Sequence, residues 1–214
     1  MSKIKAIIFD MDGVLIEAKD WHYEALNQAL ELFGYKISRY DHLVTFDGLP
    51  TKKKLEMLSM ERGLPRGLHN FINHMKQIYT MKHVYMKCKP LFCHQYALSK
   101  LKSEGYKLAL GSNSVRVTID MMLGKADLMK YMDFTLSNQD VTKSKPDPEI
   151  YNKAIEKLGF KPEECLIVED NVNGVKAALA SGAHLLKVET VYDVNYTNIR
   201  NRIDEIEQVA QEVA

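Results

Sequence analysis

The chain is poor in cysteine, in excess charge of either sign and in long apolar runs. Its three cysteines, Cys88, Cys93 and Cys165, form an odd set without the paired spacing of a metal site. Cys165 sits in an apolar run where a buried thiol is expected, and a reducing cytoplasm fits this usage. Lysine and arginine number 29 against 28 aspartates and glutamates, a formal net charge of +1. That balance gives no broad positive field for phosphate-backbone contacts, which disfavours a nucleic-acid partner. The first apolar run stops at Asp10 and Asp12, far short of a signal segment or a membrane span. A soluble, unprocessed protein with no membrane partner is therefore expected. No internal repeat or low-complexity segment interrupts the 214 residues. Their 46% hydrophobic content allows one good core and a smaller second one.

Five short apolar runs bounded by turn residues read as strands: "KAIIFD" (5–10), "YKLALGS" (106–112), "MDFTLS" (132–137), "CLIVED" (165–170) and "AHLLKVE" (183–189). Helical patterns lie between the later ones. In "DPEIYNKAIEKLG", Asp147 can cap, Pro148 fits the first turn, and Gly159 closes a stripe of Ile150, Ala154, Ile155 and Leu158. Alternation of this kind predicts an α/β fold, a Rossmann-like parallel sheet whose ligands bind beyond the carboxyl ends of the strands. The segment from about 17 to 92 has no strand-like run and is too long for a crossover loop. It reads as an inserted α-helical cap domain of about four helices, with the core formed by 1–16 and 93–214. The closing "NIRNRIDEIEQVAQEVA" has the spacing of a surface helix.

Polar residues gather where the strands should stop. Asp10 and Asp12 follow the first, Ser112 and Asn113 the second, and Glu169 and Asp170 the fourth, with Lys145 in "KSKPDP". Adjacent strands lie ~4.8 Å apart, so such groups converge on one small volume. Crowded carboxylates repel unless a cation joins them, and hard oxygen ligands suit Mg²⁺. A lysine, a hydroxyl and backbone amides beside the metal would receive a phosphoryl group. Taken singly, Asp10 and Asp12 are also good turn residues, and Glu169 and Asp170 good helix caps.

The motifs "DMDGV" (10–14), "GSNS" (111–114), "KSKPDP" (143–148) and "VEDNVNGVKAA" (168–178) resemble, in order, the four motifs of the haloacid dehalogenase superfamily. With a helical insertion directly after the first motif, the chain is most similar to the β-phosphoglucomutase-like subgroup. The resemblance implies that Asp10 is the nucleophile, forming an aspartyl-phosphate, and that Asp12 is the general acid and base. It implies that Asp10, the backbone carbonyl of Asp12, and Asp170 hold Mg²⁺, with Glu169 contributing directly or through water. Ser112, Asn113 and Lys145 would grip the phosphoryl oxygens, and Lys145–Pro146 is a candidate cis peptide bond.

The insertion carries the substrate question. His22 matches a substrate-facing histidine of the subgroup, or else packs inside the cap. In "FDGLPTKKK", Thr51 and Lys52 either touch substrate or form a solvated helix start. Asp47 stands where the subgroup often has a neutral or basic residue, and no arginine matches the one that holds a mutase's second phosphate. The expected function is thus a Mg²⁺-dependent phosphatase acting on a small phosphorylated metabolite such as a sugar phosphate. A phosphomutase is the alternative, with a noncatalytic binding module and a dehalogenase behind it.

Overall fold

A computed structural model describes residues 4–212. The chain divides into two compact units, Met1–Glu17 with Lys89–Ala214, and Ala18–Cys88. Both crossings fall just inside the interval from 17 to 92 marked by the sequence.

In the first unit, strands β1 (Ala6–Phe9), β2 (Lys107–Gly111), β3 (Phe134–Leu136), β4 (Cys165–Glu169) and β5 (His184–Lys187) form one sheet in the order β3-β2-β1-β4-β5. Every pairing is parallel. The helices of this unit are α5 (Phe92–Ser103), α6 (Arg116–Lys125), α7 (Glu149–Leu158), α8 (Val172–Ala180) and α9 (Tyr196–Glu212). The class is therefore the α/β arrangement read from the alternating runs. β1 is central and its four residues are fully buried, because strands covered on both faces have no polar side to alternate with. Ala6 and Ile8 join Ile150, Tyr151 and Ala154 of α7 and Ala177 of α8 in one apolar cluster. α5 and α9 pack on each other and against β2 and β5 respectively.

Strand order reverses between β1 and β4, which places the carboxyl ends of these two strands at a switch point. The register sets Phe9 beside Leu110 on one side and Val168 on the other. Asp10, Ser112 and Glu169 consequently reach the same rim of the sheet.

The second unit contains α1 (Lys19–Glu31), the single turn α2 (Arg39–Asp41), α3 (Thr51–Arg62) and α4 (His69–Lys87), with a π-helical turn over His42–Phe46. Its own core includes Leu26, Leu30, Phe46, Leu55, Leu58 and Ile72. Among the described residues no helix is long and apolar enough to cross a membrane.

Candidate active site

β1 ends at Phe9, and the chain turns immediately. The Met11 carbonyl accepts the N–H groups of Leu15 at 3.0 Å and Ile16 at 2.9 Å, while the Gly13 N–H donates to the Ile16 carbonyl at 2.7 Å. Gly13 takes φ of 95°, a left-handed value that favours glycine and lets the chain turn sharply here. Asp10 is buried at the strand end, its N–H donating to the Val168 carbonyl of β4 at 3.0 Å. Asp12 is half-buried, and its Oδ2 accepts the hydroxyl of Ser114 at 2.8 Å.

Beyond β2, the N–H of buried Ser112 donates to the Leu136 carbonyl on β3 at 3.0 Å. Its Oγ accepts the Ser114 N–H at 3.1 Å. Asn113 uses its side-chain oxygen to accept the Lys145 N–H at 3.2 Å, which ties the "GSNS" and "KSKPDP" segments together. The Lys145–Pro146 peptide is cis. Glu149 braces the same loop by accepting the N–H groups of Thr142 and Lys143, and Asp147 caps α7 by accepting the Glu149 N–H.

The Lys145 ammonium is buried at the centre of the site. It donates to Asp10 Oδ1 at 2.6 Å, to Glu169 Oε1 at 2.7 Å and to the Tyr151 hydroxyl at 2.7 Å. Tyr151, on α7, is itself fully buried and donates its hydroxyl proton to Glu169 Oε1 at 2.7 Å. The other oxygen of Glu169 accepts the N–H groups of Asp170 at 3.0 Å and Asn171 at 3.2 Å, at the start of α8.

Burial pushes the Asp10 carboxyl well above the usual carboxylate range; Lys145 opposes this, while Glu169, Asp12 and Asp170 add to it. Burial pulls the Lys145 pKa down, but the Asp10 and Glu169 carboxylates outweigh it and raise it above the ordinary lysine value. The Tyr151 phenol is held well above its ordinary value by burial and then by the adjacent Glu169 and Asp10 charges.

Asp10, Glu169 and Asp170 each offer an oxygen within 4.8 Å of the others. This is a hard, all-oxygen donor set of the kind Mg²⁺ accepts with water completing the shell. Asp12 is outside that carboxylate group, so its contribution to a metal would come from its backbone carbonyl. The structure thus brings Asp10, Lys145, Glu169 and Asp170 together and places Asp12, Ser112 and Asn113 on the adjoining loops. Tyr151 and Ser114 were not singled out by the sequence. The available signals were Tyr151 lying next to Ile150 in the α7 stripe and Ser114 closing the "GSNS" motif.

His22, Thr51 and Lys52 all lie in the second unit. His22 is half-buried on α1, with Nδ1 3.2 Å from the ammonium of Lys76, a buried lysine of α4 that the sequence did not mark. Thr51 opens α3 half-buried and Lys52 is exposed. In that lysine run the distinctive environment belongs to Lys54, whose pKa burial lowers to about 8 against the pull of Asp47.

Residues 7–188 match the sequence model of the haloacid dehalogenase-like hydrolase family, and the chain belongs to that family. A phosphorylated carbohydrates phosphatase of Thermotoga maritima is 31% identical, with 89% of this chain and 85% of that protein covered. A phosphoglycolate phosphatase of Nitrosospira multiformis is 26% identical over 89% and 85%. The fold is shared with β-phosphoglucomutase of Clostridium difficile at a TM-score of 0.80 and 21% identity, covering 94% and 98% of the two chains. The chain is accordingly a member of the haloacid dehalogenase-like hydrolases, beside relatives named as phosphatases.

Proposed function

We propose that the protein is a Mg²⁺-dependent phosphatase that hydrolyses a small phosphorylated metabolite, a sugar phosphate being the favoured class, through an aspartyl-phosphate on Asp10. The observation that carries this reading is the Lys145 ammonium bonded to Asp10 Oδ1 at 2.6 Å inside the carboxylate cluster. A lysine so placed offsets the charge of an anionic nucleophile approaching an anionic phosphate.

Asp10 attacks phosphorus in line with the leaving oxygen, and its oxygen–phosphorus bond forms as the ester bond breaks. Asp12, held through its Oδ2 by Ser114, gives a proton to the leaving alkoxide. It then takes a proton from the water that attacks the phosphorus of the aspartyl-phosphate, which restores Asp10 and releases inorganic phosphate. Lys145, Ser112 and the N–H groups of the turn after β1 receive the phosphoryl oxygens. Asp10 and Asp170, with the Asp12 carbonyl, would hold Mg²⁺, which supplies charge neutralisation between the carboxylates and the phosphate. Glu169 already accepts protein donors at both oxygens, so its part would be to fix the Asp170–Asn171 backbone beside the metal. Similarity to the Thermotoga enzyme named for phosphorylated carbohydrates supports the substrate class.

The test is release of inorganic phosphate from a panel of sugar phosphates, nucleotides and other phosphate esters, with Mg²⁺ and with EDTA, beside Asp10→Asn. Mg²⁺-dependent release that vanishes in the variant is expected. Conversion of a sugar phosphate to its isomer without free phosphate would replace this reading with a mutase.

A further inference from the structure

Lys145 has a coordination problem that its proposed role must solve. An ammonium carries three N–H bonds and accepts nothing, and Asp10, Glu169 and Tyr151 take all three. To grip a phosphoryl oxygen it must exchange one of them. Asp10 is the partner whose oxygen changes character in the reaction, because phosphorylation turns a carboxylate oxygen into an ester oxygen and sets three phosphoryl oxygens beside it. The other two partners are fixed. Glu169 is clamped by the N–H groups of Asp170 and Asn171 and lies directly against Gly174. Tyr151 is rooted in the α7 core, with Lys145 Nζ 4.6 Å from its ring centroid.

The proton direction is also set. Tyr151 has one hydroxyl proton, and it goes to Glu169. The oxygen lone pairs are what face Lys145, so the phenol acts there as an acceptor. We propose that Tyr151 is a positioning residue: with Glu169 it fixes two N–H bonds of Lys145 so that the third points at the phosphoryl group held on Asp10. The inference rests on the phosphatase reading for the identity of that third partner, but the Tyr151–Lys145 bond stands independently of it. A neutral acceptor suits the task. A third carboxylate would hold the ammonium more tightly and compete with the phosphate, whereas an apolar residue would leave a buried N–H without a partner.

The test is Tyr151→Phe, which keeps the ring and removes only the hydroxyl. Two readouts are taken on the full chain. First, protein labelled with ¹⁵N at lysine Nζ is observed by NMR without substrate, the Lys145 ammonium signal being assigned by its loss in Lys145→Arg. A resolved signal in the wild type that shifts or exchanges away in Tyr151→Phe is expected. Second, steady-state hydrolysis of the best ester of the panel should show kcat lowered ~10–100-fold, the scale for removing a group that orients a catalytic residue. KM and the Mg²⁺ concentration for half-maximal rate should stay at wild-type values.

An unmoved Lys145 signal, or wild-type kcat, overturns the proposal. So does a loss of activity that follows a matching loss of folded protein, or one that saturating Mg²⁺ restores, because the hydroxyl would then serve packing or the metal. If the wild type hydrolyses no ester, the phosphatase reading fails by itself, and the ammonium signal still decides whether Tyr151 holds Lys145.

Discussion

Gly174 and Glu169 are in such close contact that a Cβ added to Gly174 would lie 1.8 Å from Glu169 Oε1 and 2.0 Å from its carboxyl carbon. The first turn of α8 thus passes directly over the carboxylate that anchors Lys145, and hydrogen is the only side chain the site admits.

Gly174→Ala is expected to inactivate the enzyme and destabilise it. Alanine normally improves a helix interior by about 1 kcal/mol over glycine. Here the clash is with a carboxylate pinned by four donors, so overpacking at about 1–3 kcal/mol wins. Urea unfolding gives the sign; a stabilised, active variant would show that Glu169 is free to move.

Lys145→Met should cost about 3–5 kcal/mol, because it leaves Asp10 and Glu169 as buried charges without their shared cation. The loss should shrink in acid, where Asp10 takes up a proton. Chemical denaturation of both proteins across pH checks this, and an equally stable variant at neutral pH would contradict the central role of the ammonium.

Stability without metal should fall as pH rises. The folded pKa of Asp10 lies well above the ordinary 3.8, so the native state keeps a proton that the unfolded chain has released. That contribution is complete below the unfolded value and disappears as pH climbs through the folded one. Mg²⁺ competes for the same deprotonated oxygens, so its stabilisation should grow with pH, to about 2.7 kcal/mol at a hundredfold excess over Kd. Melting curves with Mg²⁺ and with EDTA from about pH 5 to about pH 8 measure it. Identical curves at every pH would remove the metal from the site.

Glu149 titrates in the opposite sense. Hydrogen bonds from Lys153 and then from Thr142 and Lys143 pull its pKa from 4.5 to about 2. A depressed carboxylate stabilises above its unfolded value, and the contribution is lost as pH falls through the folded value. Glu149→Gln should therefore be less stable than the wild type at neutral pH, the difference closing between about pH 4.5 and about pH 2. It should also lower kcat, since Glu149 steadies the loop that carries Lys145. Equal stability of the two proteins at neutral pH would show that the brace is unimportant.

The legible parts were those written in local pattern. Apolar runs ending at turn residues mark all five strands, and Pro148 with Gly159 marks α7, because strand and helix termini depend on near neighbours. The polar strand ends were legible for the same reason, since a parallel sheet forces them to one rim. What stayed hidden was partner choice across long sequence separations. Nothing near Asp12 announces Ser114, 102 positions away, and nothing near Lys76 announces His22, 54 positions away. Tyr151 was masked because an aromatic residue beside a helical stripe reads as core. It is core, and its hydroxyl nevertheless meets the buried Lys145 ammonium and the buried Glu169 carboxylate. Gly174 was masked likewise, for its helical position gives no hint of the carboxylate beneath it.

The most direct measurement is chemical trapping of the intermediate. Enzyme mixed with Mg²⁺ and its best substrate is quenched within one turnover and treated with borohydride, which reduces an acyl phosphate to the alcohol. Mass spectrometry of the peptide containing residues 7–16 should then show homoserine in place of Asp10 and unchanged Asp12, with no conversion in Asp10→Asn. Reduction at Asp12, or phosphate release at full rate with no residue converted, would contradict covalent catalysis by Asp10.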